Sequence, residues 1–544
     1  MKTQHRHKRL QKIVNSNNQP LIFVSIVGIF GFFTHLMFIR SERTMNPDES
    51  ELIATARLAA MPGGLNSNYT TSTYGPIWPE FLAILNHLGM PLNHSNAHLL
   101  AFIMKMLIFL TPQCIAISKM GISRLILVLI PINIALFLPS TTEFAFLSTE
   151  LLPLALLTFA VIVIQRMNNQ IYPVVAGVLF TTALLSKYQS LLMFVILLGF
   201  IFLRSIREGV IDRKLLFSAV AKLVLSIVLS LSVFIVILVQ SNSFQKFFSE
   251  SVLLSAKYST GGEYGGGANI LSKIVVGSNL LLEQPIIMCV PFLILILAIN
   301  SNFLDQRLVS ANGKLSYDKI IFFIFSVFIS VGFLTVLIPG NKFPHYLLFF
   351  VWTLVMYLLA FAEVCRIFSA SHRSANDSQN ALKKSHFVIS VAIILAINSS
   401  SSLAGPINDL IDSPKTISKD DSRLSALESS EVLQYCPKGS QVLVWGWSAE
   451  LFAYYDWLPA PDVVNDVARM KIGNLNESTK IRIAKAISSI KTKCIFEAIG
   501  AQYFGGFDSS QGVVPLFPNA VEGVLQAYRS HELIDGTRVW SREN

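Results

Sequence analysis

The chain has little charge for its length. Of its 544 residues only 14% are charged, whereas 52% are hydrophobic, and the mean hydropathy is +0.55. Soluble domains carry nearer a quarter of charged residues, so this shortage excludes an ordinary soluble protein for most of the chain.

Cysteines at metal-ligand spacing and a basic nucleic-acid surface are missing too. None of the five cysteines stand in pairs, which excludes a cysteine-based metal site. The net charge is +10, but Lys and Arg cluster between apolar runs rather than on one aromatic-rich surface, which excludes nucleic acid as a partner. Cys436 and Cys494 both fall in the C-terminal region, where a disulfide and two free thiols are both open alternatives.

The first apolar run, Leu21 to Phe38, is not followed by a small-residue cleavage site. It therefore predicts a first anchor helix rather than a removed signal peptide. Basic residues precede it and predict a cytoplasmic N-terminus. These residues are Lys2, Arg6, Lys8, Arg9 and Lys12.

Long apolar runs recur as far as about Ser400. Because a hydrocarbon core of about 30 Å needs roughly 20 apolar residues per helix, they predict about eleven transmembrane helices. The fold class expected is an all-α polytopic membrane bundle with a small C-terminal α/β domain outside the cytoplasm. The expected divisions are a tail at 1–20, a transmembrane domain at 21–399 with an outside loop at 41–98, and a C-terminal domain at 400–544.

The C-terminal region shows short local patterns of an α/β unit. A strand is predicted at Gln441 to Trp445 and another ending at Arg538 to Trp540. Between them we predict a short helix from Ser448 to Tyr455, capped by Ser448, and an amphipathic segment from Asn476 to Ile490.

If successive helices cross the membrane in alternating directions, nearly every Lys/Arg cluster lies in the cytoplasm. The other notable polar residues then lie at the helix ends outside the cytoplasm. Asp48 and Glu49 follow the first helix directly. Two adjacent carboxylates there suit a general base or a cation ligand. They equally suit the first turn of a helix running through Arg57, so both readings stay open.

Two further polar groups open or close helices on the same side. Glu150 begins the fourth helix, where the helix dipole alone would also favour an acid. Lys187 and Gln189 lie at the outer end of the fifth helix. A lysine there departs from the positive-inside trend and indicates a phosphate partner, with interfacial snorkelling as the alternative.

The entrance to the tenth helix carries Lys342, His345 and Tyr346. Two cations three residues apart suit a phosphate grip or protonation of a leaving oxygen, although His345 also reads as an ordinary interface residue. Together the acids and cations fit a lipid-linked phosphate bound at the membrane surface beside a hydroxyl that is deprotonated. They also fit a transporter pocket, although no helix is broken centrally by Gly/Pro between charges.

These motifs resemble the GT-C superfamily of polyprenyl-phosphate-sugar glycosyltransferases, such as protein mannosyltransferases and bacterial lipid A aminoarabinose transferases. The Asp48-Glu49 pair in the first outside loop is similar to that superfamily's best-known mark. Further matching stretches are Thr73-Tyr74-Gly75-Pro76, Ser148 to Pro153, Lys187-Tyr188-Gln189, Phe343-Pro344-His345-Tyr346 and Val442 to Tyr455.

The resemblance implies an inverting sugar transfer, in the inner (plasma) membrane, from a polyprenyl-phosphate donor to a hydroxyl of a cell-envelope glycan or glycolipid. Asp48 would be the catalytic base, and Glu49 would support it or contact the acceptor. It implies no required cofactor, although a divalent cation at Asp48 and Glu150 would have precedent in relatives. The other implied roles are donor-phosphate binding by Lys187, Lys342, His345 and Tyr346, acceptor or cation binding by Glu150 and Gln189, and a cover at Gly261 to Gly267.

The chain departs from that superfamily in its C-terminal domain, which is smaller than the sugar-recognition modules of protein mannosyltransferases. The segment Pro459 to Met470 matches nothing recognisable. A transporter or flippase of a lipid-linked saccharide is the alternative function. A polymerase or ligase of O-antigen type is less favoured, because the outside loops contain little arginine.

Overall fold

The structure is a computed structural model of the whole chain. The description below covers residues 18–40, 46–61, 74–137, 144–208, 213–253, 269–305, 317–339, 343–370, 431–446, 448–460, 477–498, 525–533 and 536–542. The predicted eleventh helix, the 261–267 loop and Lys342 lie outside these residues.

Most of the described chain is a bundle of apolar helices. Their bounds are α1 Gln19–Arg40, α2 Pro47–Ala59, α3 Ile77–His87, α4 His94–Met120, α5 Ile122–Phe137, α6 Leu151–Arg166, α7 Tyr172–Ser186, α8 Tyr188–Arg207, α9 Arg213–Gln240, α10 Ile270–Leu282, α11 Pro285–Asp305, α12 Tyr317–Leu337 and α13 Leu347–Ala370. A π-helical turn at Met106–Leu110 interrupts α4, and a 3₁₀ turn at Pro344–Tyr346 leads into α13.

Six of the described helices are long and apolar enough to cross a membrane, or seven spans result if the bent pair α10 and α11 counts as one. Three shorter apolar helices, α5, α6 and α7, accompany them. The predicted all-α polytopic bundle is confirmed, and the first ten predicted helices each have a counterpart. The eighth differs in form, because it breaks by 89° just before Pro285, which cannot donate a backbone hydrogen bond.

The two ends of the bundle differ in chemistry. At one end, Glu363 near the end of α13 accepts hydrogen bonds from Lys119, Arg207 (3.3 Å) and Arg366 (2.8 Å). These cations end α4 and α8 or follow Glu363 on α13. At the opposite end of the bundle, α4 begins at His94, α8 begins directly after Lys187, and the turn that contains His345 leads into α13. Among the described residues, the acids and cations singled out in the sequence therefore share one end, and the basic cluster around Glu363 lies at the other.

The C-terminal region is a mixed five-stranded sheet, which confirms the predicted α/β unit. Its strands are β1 Gln441–Trp445, β2 Leu458–Pro459, β3 Thr492–Glu497, β4 Tyr528–Glu532 and β5 Arg538–Arg542, in the order β2-β1-β3-β5-β4. β1 pairs in parallel with β2 and β3, whereas β5 pairs antiparallel with β3 and β4. The helices of this region are α14 Glu431–Tyr435, α15 Glu450–Tyr454 and α16 Glu477–Ser488.

One local prediction in this region is wrong. The helix α15 begins at Glu450 with Ala449 in the cap position, so Ser448 does not cap it. The Ser448 hydroxyl is buried and makes no hydrogen bond within the described part of the chain. A serine two residues before the helix lies too far from the orphan N–H groups of the first turn.

A disulfide joins Cys436 and Cys494. The sequence alone left open whether these two cysteines form a disulfide or remain free thiols. Both residues are fully buried, and their Cα atoms are 5.8 Å apart across a sequence separation of 58. Closing a loop of this length restricts the unfolded chain and stabilises the fold by up to about 4 kcal/mol. The bridge ties the segment before β1 to β3 at the centre of the sheet.

Helix α2 packs the C-terminal domain onto the bundle. Its Ala54 and Leu58 are buried in the same apolar core as Val442 and Trp457. Arg57 on the same helix donates hydrogen bonds to the carbonyls of Phe452 (2.7 Å), Trp457 (3.3 Å) and Leu92 (2.8 Å). One guanidinium thus connects α2, the domain and the segment before α4.

We expect Arg57→Ala to loosen this attachment. The substitution removes three hydrogen bonds, and the carbonyl of Phe452 keeps only the N–H of Trp457 (3.0 Å), so we expect a cost of about 2 kcal/mol, since an unsatisfied buried polar group costs 1–3 kcal/mol. Thermal unfolding of the purified protein should shift to lower temperature, and trypsin should release the C-terminal region faster. Arg529→Ala, at an exposed position of β4, is the control and should change neither. An unchanged midpoint in Arg57→Ala would show that the apolar contacts alone hold the domain.

Candidate active site

The site begins at the first turn of α2, where two adjacent carboxylates take different environments. Asn46 caps the helix by accepting hydrogen bonds from the N–H groups of Asp48 (2.9 Å) and Glu49 (3.2 Å), and Pro47 suits the first helical position. Successive helical residues point about 100° apart. The Asp48 side chain is 43% exposed, whereas that of Glu49 is fully buried.

Asp48 lines a small polar pocket at the end of the bundle opposite Glu363. The pocket's lining is Asn46, Asp48, Phe146, Ser148, Thr149, Glu150 and His345. The imidazole Nε2 of His345 lies 3.9 Å from Oδ2 of Asp48. The cavity volume is about 10 Å³, which is room for one water molecule, so a sugar would enter only as the lining moves apart.

Lys187 reaches this pocket from the end of α7. Its Nζ donates to Oγ1 of Thr149 (2.7 Å), lies 3.1 Å from Oε1 of Glu150 and faces the Tyr346 ring at 5.7 Å. Both charged side chains of this pair are buried. Burial would raise the pKa of the Glu150 carboxyl, but the charges of Lys187 and His345 outweigh burial and hold that pKa below its ordinary value.

His345 is held by aromatic rings. The Phe343 ring stacks on it at 5.5 Å between centroids, and Tyr346 meets it edge-on at 4.6 Å. These contacts keep the imidazole at the entrance of α13, turned towards Asp48. The three side chains belong to one tight turn, so the Phe-Pro-His-Tyr stretch works as a unit.

A close backbone approach fixes the Lys187 side of the pocket. The N–H of Gly75 donates to the carbonyl of Ser186 (2.9 Å), and a Cβ at position 75 would lie only 1.8 Å from the carbonyl oxygen of Leu185. The following helix α3 supplies Trp78, whose indole N–H donates to the carbonyl of Thr149 (2.7 Å). The Gly-Pro turn therefore sets the distance between the two halves of the site.

The structure thus brings together Asp48, Glu150, Lys187, His345 and Tyr346. Two other predicted site residues differ. Glu49 points away from the pocket, into a buried cluster with His94 and His98. Gln189 is half-buried, and its side-chain oxygen has no hydrogen-bond partner in the described part of the chain.

His94 and His98, at the start of α4, are not among the site residues predicted from the sequence. They stand four residues apart, a spacing that places both side chains on one face of a helix. The loop predicted at 41–98 includes both histidines, so their spacing on a helix face could not be recognised. In the structure α4 already begins at His94. Thr149 lies within the predicted stretch Ser148 to Pro153 without a role of its own there, and in the structure its hydroxyl accepts a hydrogen bond from Lys187.

A comparison with protein-family models finds no match, and neither does one with curated protein sequences. Among solved structures, the chain is similar to the crystal structure of ArnT from Cupriavidus metallidurans bound to undecaprenyl phosphate. The TM-score is 0.49 at 12% identity, and the match covers 96% of this chain and 97% of that one. The residues of this chain, rather than this likeness, carry the functional proposal that follows.

Proposed function

We propose that the protein is a membrane glycosyltransferase. It transfers a monosaccharide, with inversion, from a polyprenyl-phosphate donor to a hydroxyl of a cell-envelope glycan or glycolipid. The observation that carries this proposal is a half-exposed carboxylate, Asp48, 3.9 Å from His345 in a pocket that also contains the Glu150–Lys187 pair. A base and cations within one pocket are what such a transfer requires.

The reaction follows from the charges. Asp48 accepts the proton of the acceptor hydroxyl, and the oxygen attacks the anomeric carbon from the face opposite the phosphate. The bond from that carbon to the phosphate oxygen breaks, and the lipid monophosphate leaves with both electrons. Asp48 is exposed enough to meet an acceptor, whereas Glu150 is fully buried and paired.

The leaving phosphate needs positive charge beside it as the bond breaks. Lys187 and His345 supply it on the described side of the pocket, and the Tyr346 ring contacts both of them. Lys342, two residues before the aromatic turn, is proposed as a third cation from the sequence. Glu150 is proposed to position Lys187 and, with Gln189, the acceptor.

The sidedness of the site belongs to the same proposal. The protein lies in the inner membrane with a cytoplasmic N-terminus and with the site and C-terminal domain outside. The Cys436–Cys494 disulfide supports this orientation, because disulfides form and persist in oxidising compartments. The cation cluster around Glu363 at the other end of the bundle agrees with the positive-inside rule.

The transfer as proposed requires no cofactor, because a monophosphate leaving group is held by side-chain cations. A divalent cation between Asp48 and Glu150 remains a prediction from the family resemblance. Both carboxylates line the same pocket, but the described residues that group as three possible metal ligands lie elsewhere.

Sugar transfer in membrane vesicles tests the proposal. Vesicles containing the protein are given radiolabelled polyprenyl-phosphate sugars, one donor at a time, with an envelope glycolipid extract as acceptor. We expect label to move from one donor into the extract and an equal amount of polyprenyl phosphate to appear. Vesicles without the protein provide the background.

A different result would favour the transporter. If no donor transfers its sugar, the same labelled lipids are placed in one leaflet of proteoliposomes and their appearance in the other leaflet is followed. If the labelled lipid crosses to the other leaflet with its sugar–phosphate bond intact, the protein is a flippase and the glycosyltransferase proposal is wrong.

A further inference from the structure

Three side chains outside the pocket meet in the protein interior. Oε1 of Glu49 lies 2.6 Å from Nδ1 of His94 and 2.9 Å from Nε2 of His98. All three side chains are at most 3% exposed, and their ligand-capable atoms lie within 4.8 Å of one another. The proposed sugar transfer uses neither His94 nor His98.

The hydrogen atoms around His94 are constrained by its neighbour. The hydroxyl of Ser50 donates its one hydrogen to the carbonyl of Asn46 (2.7 Å), so it can only accept from Nε2 of His94 at 3.4 Å. When Nε2 carries a proton, the Nδ1 of a neutral His94 offers a lone pair to the Glu49 carboxylate. With the proton on Nε2, only a metal cation or a second ring proton between the two atoms makes this 2.6 Å contact favourable, whereas with the proton on Nδ1 a neutral His94 donates it to Glu49 directly.

We propose that Glu49, His94 and His98 bind a zinc ion. Two imidazoles and one carboxylate are a donor set that zinc takes in proteins, and histidines four apart on one helix face are a recurring part of it. The other carboxylate oxygen of Glu49 accepts the N–H of Leu147 at 2.7 Å, and Ser50 holds the far side of His94. Such outer partners fix ligand orientation in metal sites.

The geometry needs little adjustment. A tetrahedral zinc with bonds near 2.0–2.1 Å separates its ligand atoms by about 3.3 Å, so each of the two oxygen–nitrogen distances, 2.6 and 2.9 Å, would lengthen by less than about 1 Å. A water molecule would complete the fourth position. The ion would tie together α2, α4 and the segment leading into Glu150, and so hold Asp48 in place on the first turn of α2.

The competing explanation is a metal-free cluster in which ring N–H groups of His94 and His98 donate to the Glu49 carboxylate. Burial would raise the pKa of the Glu49 carboxyl, but His98 and His94 outweigh burial and lower it to about 2 in such an arrangement. The two explanations predict different metal content, and that difference decides between them.

Metal analysis of the purified full-length protein is the test. Protein purified without chelator from zinc-supplied cells, then dialysed, should contain about one zinc per chain by mass spectrometry, as expected of a site with three protein ligands. His94→Ala, His98→Ala and Glu49→Gln should each lose most of it. His87→Ala, at an exposed position on α3, is the matched control and should retain the metal.

A second measurement uses only the wild-type protein, so it remains decisive even if the variants fail to fold. Wild-type protein is stripped with a chelator, and its thermal midpoint is compared before and after zinc or magnesium is added back. Zinc alone should raise the midpoint, because a ligand that binds only the folded state stabilises it. Absence of zinc from the wild type together with a midpoint insensitive to zinc would overturn the proposal, as would equal zinc content in wild type and all cluster variants. Neither readout involves sugar transfer, so the proposal stands or fails separately from the function.

Discussion

Replacing Asp48 with Asn should lower the rate of sugar transfer at least about a hundredfold, since a general base contributes 10²–10⁴. The amide has the size and shape of the carboxylate but cannot accept the proton of the acceptor hydroxyl. Because Asp48 is 43% exposed and its backbone N–H, rather than its side chain, is held by the Asn46 cap, the substitution should leave folding intact. The loss should appear in kcat, with the KM for the donor little changed, as expected for an interaction made in the transition state.

The control for this variant is Glu532→Gln, which neutralises an exposed carboxylate on β4. It should transfer sugar at the wild-type rate. Thermal unfolding of Asp48→Asn should match that of the wild type. Unchanged transfer by Asp48→Asn would remove this residue from the mechanism, and a lower midpoint would show instead a structural role through the contact with His345.

The sequence predicts those features that depend on the residues of a single helix or strand. Apolar runs located the eleven described apolar helices, with α10 and α11 predicted as one, because burial in lipid requires such runs whatever their neighbours. Lys/Arg asymmetry placed Asp48, Lys187 and His345 at one end, and the structure agrees on this grouping. The strand β1 was predicted with its correct bounds, because its apolar residues are consecutive.

The features that could not be predicted depend on contacts between distant segments. Nothing local distinguishes Asp48, which faces the pocket, from Glu49, which faces His98. The pairing of Lys187 with Glu150 arises only where the ends of α7 and α6 meet. Likewise the bend before Pro285 and the antiparallel pairing of β5 with β3 depend on packing rather than on periodicity.

Helix α2 connects these separate features. Within its 13 residues it presents Asp48 to the pocket, Glu49 to the buried histidines and Arg57 to the C-terminal domain. A change at any of these contacts therefore reaches the proposed base through one rigid element.

Lys187→Met should weaken binding of polyprenyl phosphate about ten- to hundredfold, because a hydrogen bond to a charged group contributes 1.5–3 kcal/mol and 1.4 kcal/mol is tenfold. It should also lower the thermal midpoint. The substitution leaves Glu150 buried without its cation, and breaking a buried ion pair costs about 3–5 kcal/mol. Lys485→Met, at an exposed position of α16, is the control for loss of a lysine and should change neither quantity.

The double variant Lys187→Met/Glu150→Gln separates the two roles of Lys187. It removes both charges of the pair, so the midpoint should return towards that of the wild type. Binding of polyprenyl phosphate should stay weak, because the phosphate still lacks its cation, while Glu150→Gln alone should bind it at least as tightly as the wild type does. Affinity is measured by competition with a labelled polyprenyl phosphate in nanodiscs, without acceptor, so that no catalytic step enters. Recovery of both midpoint and affinity in the double variant would show that Lys187 serves only to neutralise Glu150, and the phosphate would then have to be held by His345 and by cations elsewhere.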